Sequence, residues 1–376
     1  MKSLLKTGPA MVLGAIVWLS AGGLVFSQSS TPDVVPVLEG LDPVMLVQGK
    51  EVQGDIKITT TRGRFQYLFA NAENRTAFEK DPQRYEIQLD GSCARMGPGV
   101  EADPDLYTVC RGHIYVFGSE NCLKMFKAAP ENFVEAQPVI TGVSATPEAL
   151  RQGQALIEKA VAALGGEKKL DGLKSYREQG NFITRLPAGQ IQNKTNLTIV
   201  FPDRIRRETT RSFGTVTSVA TPGESFVSTD RGANPMTIGA RRELEKQEVQ
   251  RTVLGILRMR KSTNFRAIGS GLAKSGAINL EQVAVAFDDL NLTLGIDATT
   301  GRVLTLAFHG RGTDGAFGEI VESFGDFRTI DGLSLPFKTD TTWNGEAMRS
   351  LILDIISVNS DIDPLLFEKP KQSKAQ

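Results

Sequence analysis

The sequence predicts an α+β chain, a small duplicated β-α module followed by a curved antiparallel half-barrel with helices. Three features predict it. Residues between Leu41 and Phe133 repeat themselves at a shift of 48. Periodicity disappears over 136–147, where Pro138, Gly142 and Pro147 read as a linker. Beyond Tyr176 the chain becomes a succession of alternating apolar and polar segments separated by turn residues. The expected layout is an export segment over 1–27, the duplicated unit over 38–135, the linker over 136–147 and the half-barrel over 148–369.

The first 27 residues carry Lys2 and Lys6, then an apolar run from Ala10 to Phe26, then small and polar residues. That order fits an export signal cleaved after Ser27, and no cysteine follows to take a lipid. The alternative is an uncleaved anchor, because the apolar run could just span a bilayer. Either reading places the rest outside the cytoplasm, in the periplasm or secreted. With 43 basic and 43 acidic residues, the charge balance favours neither nucleic acid nor acidic ligands.

In the duplicated unit, Tyr67 falls on Tyr115, Phe69 on Phe117, Phe78 on Phe126, Pro82 on Pro130 and Tyr85 on Phe133. Such self-similarity marks a repeated supersecondary unit. Each copy predicts a strand (Arg64 to Phe69; His113 to Phe117), a helix (Ala72 to Lys80; Glu120 to Ala128), a proline stop and an aromatic. The same shift places Met45 on Cys93 and Asn74 on Cys122, so only the second copy carries thiols there.

Gly40-Leu41-Asp42-Pro43-Val44, the run Tyr67 to Arg75 with Phe78, Asp81, Pro82 and Tyr85, and Gly91-Ser92-Cys93-Ala94 make this unit resemble the YHS domain, a relative of TRASH-type metal-binding modules. The resemblance covers about a quarter of the chain. Cys93 and Cys122 match the outer two cysteines of the metal-binding pattern, whereas Gly118 stands at its middle position. It implies a soft metal ion, zinc or copper.

Val109-Cys110-Arg111-Gly112-His113 predicts a two-residue hairpin turn that sets Cys110 and His113 opposite each other. Cysteine and histidine suit zinc or copper, so Cys93, Cys110, His113 and Cys122 form the candidate ligand set. The rival is a Cys93–Cys122 disulfide, favoured by an oxidising compartment. It would close a loop of about 30 residues and stabilise by roughly 3–4 kcal/mol.

Thr146 can cap a helix that opens at Pro147-Glu148 and stops at Gly165-Gly166. Strands are expected at Thr195 to Phe201, Arg204 to Thr210, Gly214 to Ala220, Glu281 to Phe287, Leu290 to Ile296, Val303 to Phe308 and Ser350 to Val358, with one helix at about Gly239 to Met259. Sequential antiparallel strands with one inserted helix imply a strongly curved sheet. The helix ending Leu164-Gly165-Gly166, the Asp297 to Arg302 turn, Asp331 to Pro336 and the closing Asn359 to Phe367 resemble the lipoprotein-carrier (LolA/LolB-like) fold. That resemblance implies an apolar cavity for acyl chains.

Catalysis is not expected. The only histidines are His113 and His309, and no Gly-x-Ser-x-Gly, His-Glu-x-x-His or phosphate-binding glycine loop occurs. The sequence therefore reads as an exported bacterial cell-envelope binding protein whose YHS-like module holds a soft metal ion. The alternative is a periplasmic carrier of an acyl chain or other apolar ligand, and a purely structural partner-binding role is the third reading.

Overall fold

A computed structural model describes residues 34–134, 145–186, 189–288 and 290–370. The expected export segment and most of the expected linker lie outside the described residues. Among those described, no helix is long and apolar enough to cross a membrane.

The first part contains β1 (Val35–Pro36), α1 (Pro43–Val47), β2 (Asp55–Arg62), β3 (Phe65–Phe69), α2 (Ala72–Lys80), α3 (Pro82–Tyr85), β4 (Asp103–Cys110), β5 (His113–Phe117) and α4 (Glu120–Ala128). The repeat is visible in three dimensions. In both hairpins an aspartate pairs with the last phenylalanine of the partner strand, Asp55 with Phe69 and Asp103 with Phe117, and a bulge follows at the same place. Each helix then inserts one phenylalanine between the two aromatics of its strand. Phe78 lies 4.8 Å from Tyr67 and 5.3 Å from Phe69; Phe126 lies 5.5 Å from Tyr115 and 5.0 Å from Phe117. These tilted and edge contacts hold the helix of each copy to its own strand, and both trios lie in one shared buried core.

At the start of each copy the structure corrects the sequence alignment. Leu38, Glu39 and Gly40 have positive φ, as do Leu89, Asp90 and Gly91. Asp42 N donates to Val52 O and Cys93 N to Val100 O, both at 2.8 Å. The residue equivalent to Cys93 is therefore Asp42 and not Met45. A constant shift fails because the second copy is shorter ahead of its first strand, and a gap inside a loop leaves no mark on the apolar pattern.

The second part begins with α5 (Pro147–Leu164) and α6 (Glu167–Asp171). Thr146 caps α5 through Ala149 N, as its sequence implies, and Gly165 ends it at φ 139°. There follow β6 (Ser175–Leu186), β7 (Gly189–Val200), β8 (Arg204–Arg211), β9 (Gly214–Ala220), β10 (Ser225–Thr229) and β11 (Gly232–Pro235). After the helices α7 (Ile238–Glu245) and α8 (Val253–Met259) come β12 (Arg266–Ser275), β13 (Ile278–Phe287), β14 (Leu290–Asp297), β15 (Val303–Arg311), β16 (Phe317–Ile330), β17 (Leu333–Trp343) and β18 (Glu346–Val358).

All thirteen strands β6–β18 form one antiparallel sheet made of two meanders. β6 to β11 run outward in one direction and β18 back to β12 in the other, and the meanders are joined where β6 pairs with β18, from Tyr176–Val358 to Thr184–Arg349. β7 and β14 stand six strands apart, which in a flat sheet is about 29 Å. Yet Leu197 and Ile199 of β7 share one buried cluster with Leu292, Leu294 and Ile296 of β14. The sheet is therefore curved, and α5 and α8 fill its concave side. Gly153 of α5 permits the closest approach, since a Cβ there would stand 2.4 Å from the backbone of Ala267 in β12.

The expected single helix over 239–259 is broken. A π-helical turn over Lys246–Gln250 follows α7, Arg251 and Thr252 leave helical geometry, and Thr252 Oγ1 caps α8 by accepting from Gly255 N at 3.0 Å. A Cβ at Gly255 would meet Val249 O at 1.6 Å, so only glycine lets the segments fold back on each other this tightly.

Asp42 is fully buried and closes the first copy. Its carboxylate accepts from Val44 N (2.8 Å) and Met45 N (3.2 Å) at the start of α1, and from Ala70 N and Asn74 Nδ2 (both 2.7 Å) at the start of α2. Asp42→Ala would leave four donors unsatisfied, and we expect a loss on the order of 3 kcal/mol. Urea unfolding followed by the fluorescence of Trp343, which packs against this core, tests it; a midpoint unchanged from wild type would refute the closing role.

Candidate functional site

A cavity of about 1570 Å³ lies between the concave face of the sheet and the segment 238–259. Leu197, Ile199, Leu335 and Leu353 supply apolar wall from the sheet, and Val249, Val253 and Leu257 supply it from the helical cover. The wall is apolar because β7 and β17 alternate: Thr195, Leu197 and Ile199, and Leu333, Leu335 and Phe337, point inward. At its mouth the cavity reaches residues of the duplicated module, including Met96, Pro98, His113 and Tyr115.

The two parts are pinned beside that mouth by Arg311, at the end of β15. Its guanidinium donates to Gly315 O at 2.7 Å, to Arg95 O at 3.3 Å and to Phe133 O at 3.1 Å. Ala316 and Trp343 from the half-barrel also join the core of the module.

One side of the cavity is charged. Arg207 on β8 donates through Nε to Glu248 Oε1 (2.9 Å) and through Nη1 to Thr195 Oγ1 (2.7 Å), reaches Glu178 Oε1 at 3.5 Å, and makes a second ion-pair contact with Glu248 Oε2. Tyr176 OH donates to Glu178 Oε2 at 2.7 Å. The side chains of Arg207, Glu178 and Glu248 are 20%, 9% and 14% exposed, and that exposure opens on the cavity they line. Burial pushes the Glu178 carboxyl above its ordinary value although Arg207 and the Tyr176 hydroxyl pull it down. Burial also works against the Arg207 charge, but Glu248 and Glu178 outweigh it and keep the guanidinium charged. Glu322 on β16 is likewise raised by burial, opposed by Arg349 and Arg251. Glu248 sits in the π-helical turn, so the irregular winding of the cover is what aims a carboxylate at Arg207.

The four residues proposed as metal ligands do not converge. Cys110 and His113 face each other across the β4–β5 hairpin, whose turn residues Arg111 and Gly112 have φ 51° and 77°. Cys93 bridges Val116 near the other end of β5, and Cys122 lies in the first turn of α4. Among the described residues, no three His, Cys, Asp or Glu side chains gather as a metal-binding group. The set separates into two pairs because β5 alternates its faces and runs between them. All three cysteines are free thiols.

Ser119 caps α4 by accepting from Cys122 N at 3.3 Å, and Arg95 Nη1 stands 4.0 Å from Cys122 Sγ. Burial pushes the Cys122 thiol up, but Ser119, Arg95 and Cys93 together outweigh it and hold the thiol below its ordinary value. The charged wall of the cavity was not singled out from sequence. Glu178, Arg207 and Glu248 are ordinary surface-type residues on three separate elements, and only the inward alternation of β6 and β8 could have pointed to two of them.

No protein-family model matches the chain, and no curated protein matches it. Some solved structures are similar to a little more than half of the chain. A LolA superfamily protein from Nitrosomonas europaea is similar at a TM-score of 0.41 and 9% identity, over 57% of this chain and 97% of that one. A DUF1329 family protein from Desulfovibrio piger gives a TM-score of 0.38 and 10% identity, over 58% and 97%.

Two outcomes follow from the charged wall. Arg207→Ala would strand two buried carboxylates at a cost of about 3–5 kcal/mol. The triple variant that adds Glu178→Gln and Glu248→Gln is expected to recover most of it, which equilibrium denaturation would show; an equal loss in both variants would refute the pairing. The raised Glu322 means that the folded chain binds a proton there more tightly than the unfolded chain does. Its stabilising contribution is complete below the ordinary glutamate value of about 4.3 and is lost as pH rises through the higher folded value. The advantage of Glu322→Gln over wild type in urea midpoint should therefore grow as pH rises above the ordinary glutamate value, and a constant difference would count against it.

Proposed function

We propose that this is an exported cell-envelope protein that binds and carries an amphiphilic molecule with an acyl chain or similar apolar body, and that it acts by binding rather than catalysis. The observation that carries the reading is the cavity of about 1570 Å³ under the helical cover, whose wall combines an apolar part, including Leu197, Ile199, Leu335, Leu353, Val249, Val253 and Leu257, with a charged part that includes the Glu178–Arg207–Glu248 cluster. Its volume exceeds the roughly 300–1,000 Å³ of ordinary small-molecule pockets and suits a long chain. A wholly apolar ligand would leave the charged cluster facing hydrocarbon, a costly arrangement. A molecule with a polar head satisfies both walls. The cell-envelope placement rests on the export segment expected over 1–27.

The carrier reading is favoured over the metal-binding one because the cavity exists as a continuous space whereas the four-ligand set is divided. Delipidated protein titrated with a fluorescent fatty acid should bind it saturably at micromolar concentration. Leu351, half-buried on β18 and facing the cavity, offers a blocking site. Leu351→Trp fills space without cutting into the core and should weaken binding at least about tenfold, a change of about 1.4 kcal/mol. Absence of saturable binding in wild type, or equal affinity in the variant, would overturn the assignment.

A further inference from the structure

We propose that Glu322, with Thr341 beside it, holds a primary ammonium in the head of the carried amphiphile, an inference that rests on the carrier reading and narrows its ligand to long-chain amines. Strand register brings the two side chains together. Glu322 on β16 pairs with Thr341 on β17, and Thr341 pairs with Arg349 on β18, so the three make one polar row across adjacent strands. All three line the cavity.

This row differs from the Glu178–Arg207–Glu248 cluster, whose groups satisfy one another. Among the described residues the Glu322 carboxylate accepts no hydrogen bond, and Arg349 Nη2 stands 3.9 Å from its Oε1, too far to donate one. Arg251 on the cover is committed elsewhere. Its Nη2 donates to Glu243 Oε1 at 2.6 Å and its guanidinium lies 4.7 Å from the Phe308 ring. Thr341 is only 3% exposed, yet its hydroxyl also has no hydrogen-bond partner among the described residues. A buried hydroxyl and a half-buried carboxylate, both unpaired and both facing one cavity, mark a place where a ligand supplies the donors.

The chemistry of that ligand follows from the two groups. An ionised carboxylate can only accept, so the head must donate. Its charge is costly to bury without an opposite one, and the negative charge of Glu248 adds to the cost. A primary ammonium brings three N–H donors and the missing positive charge. A hydroxyl head would donate one bond and leave the charge unmatched, and a carboxylate head would be repelled by Glu322.

The neighbouring positions place the chain. Two residues along the same strands the inward positions are Leu351, Thr339 and Phe324, and Leu353 and Leu335 follow. The polar row lies toward the module, because Trp343, two residues beyond Thr341, packs against the module's core. The head is thus held near the mouth and the acyl body runs inward over leucine.

The test is calorimetric titration of the delipidated full chain with dodecylamine, dodecanol and dodecanoate, which share one chain and differ in head. Dodecylamine should bind at least about tenfold more tightly than dodecanol, and dodecanoate more weakly than dodecylamine. Glu322→Gln keeps the shape of the side chain and should abolish the preference for the amine while leaving dodecanol unchanged; since this variant is expected to stabilise the fold, lost amine binding would not be lost folding. Thr341→Val should weaken dodecylamine about threefold, the worth of one modest hydrogen bond. Wild type that binds amine and alcohol equally would overturn the head assignment and leave the carrier reading standing. So would an amine preference that survives Glu322→Gln, which would put the ammonium at another carboxylate, and unchanged dodecylamine affinity in Thr341→Val would remove the hydroxyl from the site. Failure of all three ligands to bind would overturn the carrier reading and this inference with it.

Discussion

The half-barrel depends on the pairing of β6 with β18, which brings together the two ends of the sheet-forming segment, Tyr176 and Val358. Each end continues into a meander, so the two free edges of the sheet, β11 and β12, lie as far apart as the sheet permits. These edges are consecutive in the chain, and the segment between them has to travel from one to the other. With β6 and β18 paired at the centre, the remaining route runs across the concave face. The cover of the cavity is therefore a consequence of strand order. Its π-helical turn and the break at Arg251–Thr252 let one segment follow the curve of the sheet.

A concave face roofed in this way cannot be filled completely by side chains from one inserted segment and α5. α5 packs beside β12, β13 and β17 and completes a tight core on that flank, where Ile157, Ile256 and Leu294 are wholly buried. The space that is left adjoins β6–β8, and there the charged groups sit. Glu248 on the cover and Arg207 on the sheet are joined by a two-pronged ion pair, so the roof is held to the floor by charge on one side and by leucine and valine packing on the other. An ion pair of this kind, half-desolvated and facing a cavity, contributes little net stability but fixes register, because an unpaired partner would be costly.

The duplicated module shows how one backbone accommodates two chemistries. The aromatic trio and the bulged hairpin are repeated nearly unchanged, since they build the shared core. The joint between loop and helix is free to differ, because it must only cover the end of a helix. Asp42 covers it by accepting hydrogen bonds, whereas the equivalent position in the second copy is Cys93, a buried thiol. The Arg311 contacts to Arg95 O and Phe133 O fasten the sulfur-bearing copy to the half-barrel, beside the cavity mouth.

Local pattern determined much of the architecture. The spans of α2, α4 and α5 and of β5 and β9 agree with their sequence signals, because caps such as Asn71, Ser119 and Thr146 and strict alternation are short-range properties. The curved antiparallel sheet was legible for the same reason, as was the Cys110–His113 pairing across its two-residue turn. Strands β10, β11 and β16 were not foreseen, because their half-exposed, Gly- and Ser-containing stretches take their extended form from neighbours. Only tertiary structure decided that Asp42 and not Met45 is the counterpart of Cys93, that the proposed metal ligands separate into two pairs, and that Glu178, Arg207 and Glu248 meet. These outcomes turn on loop length, on which face of a strand looks inward, and on contacts between residues tens of positions apart. No local periodicity encodes such distances, since strand order and curvature bring those residues together only once the whole sheet is assembled.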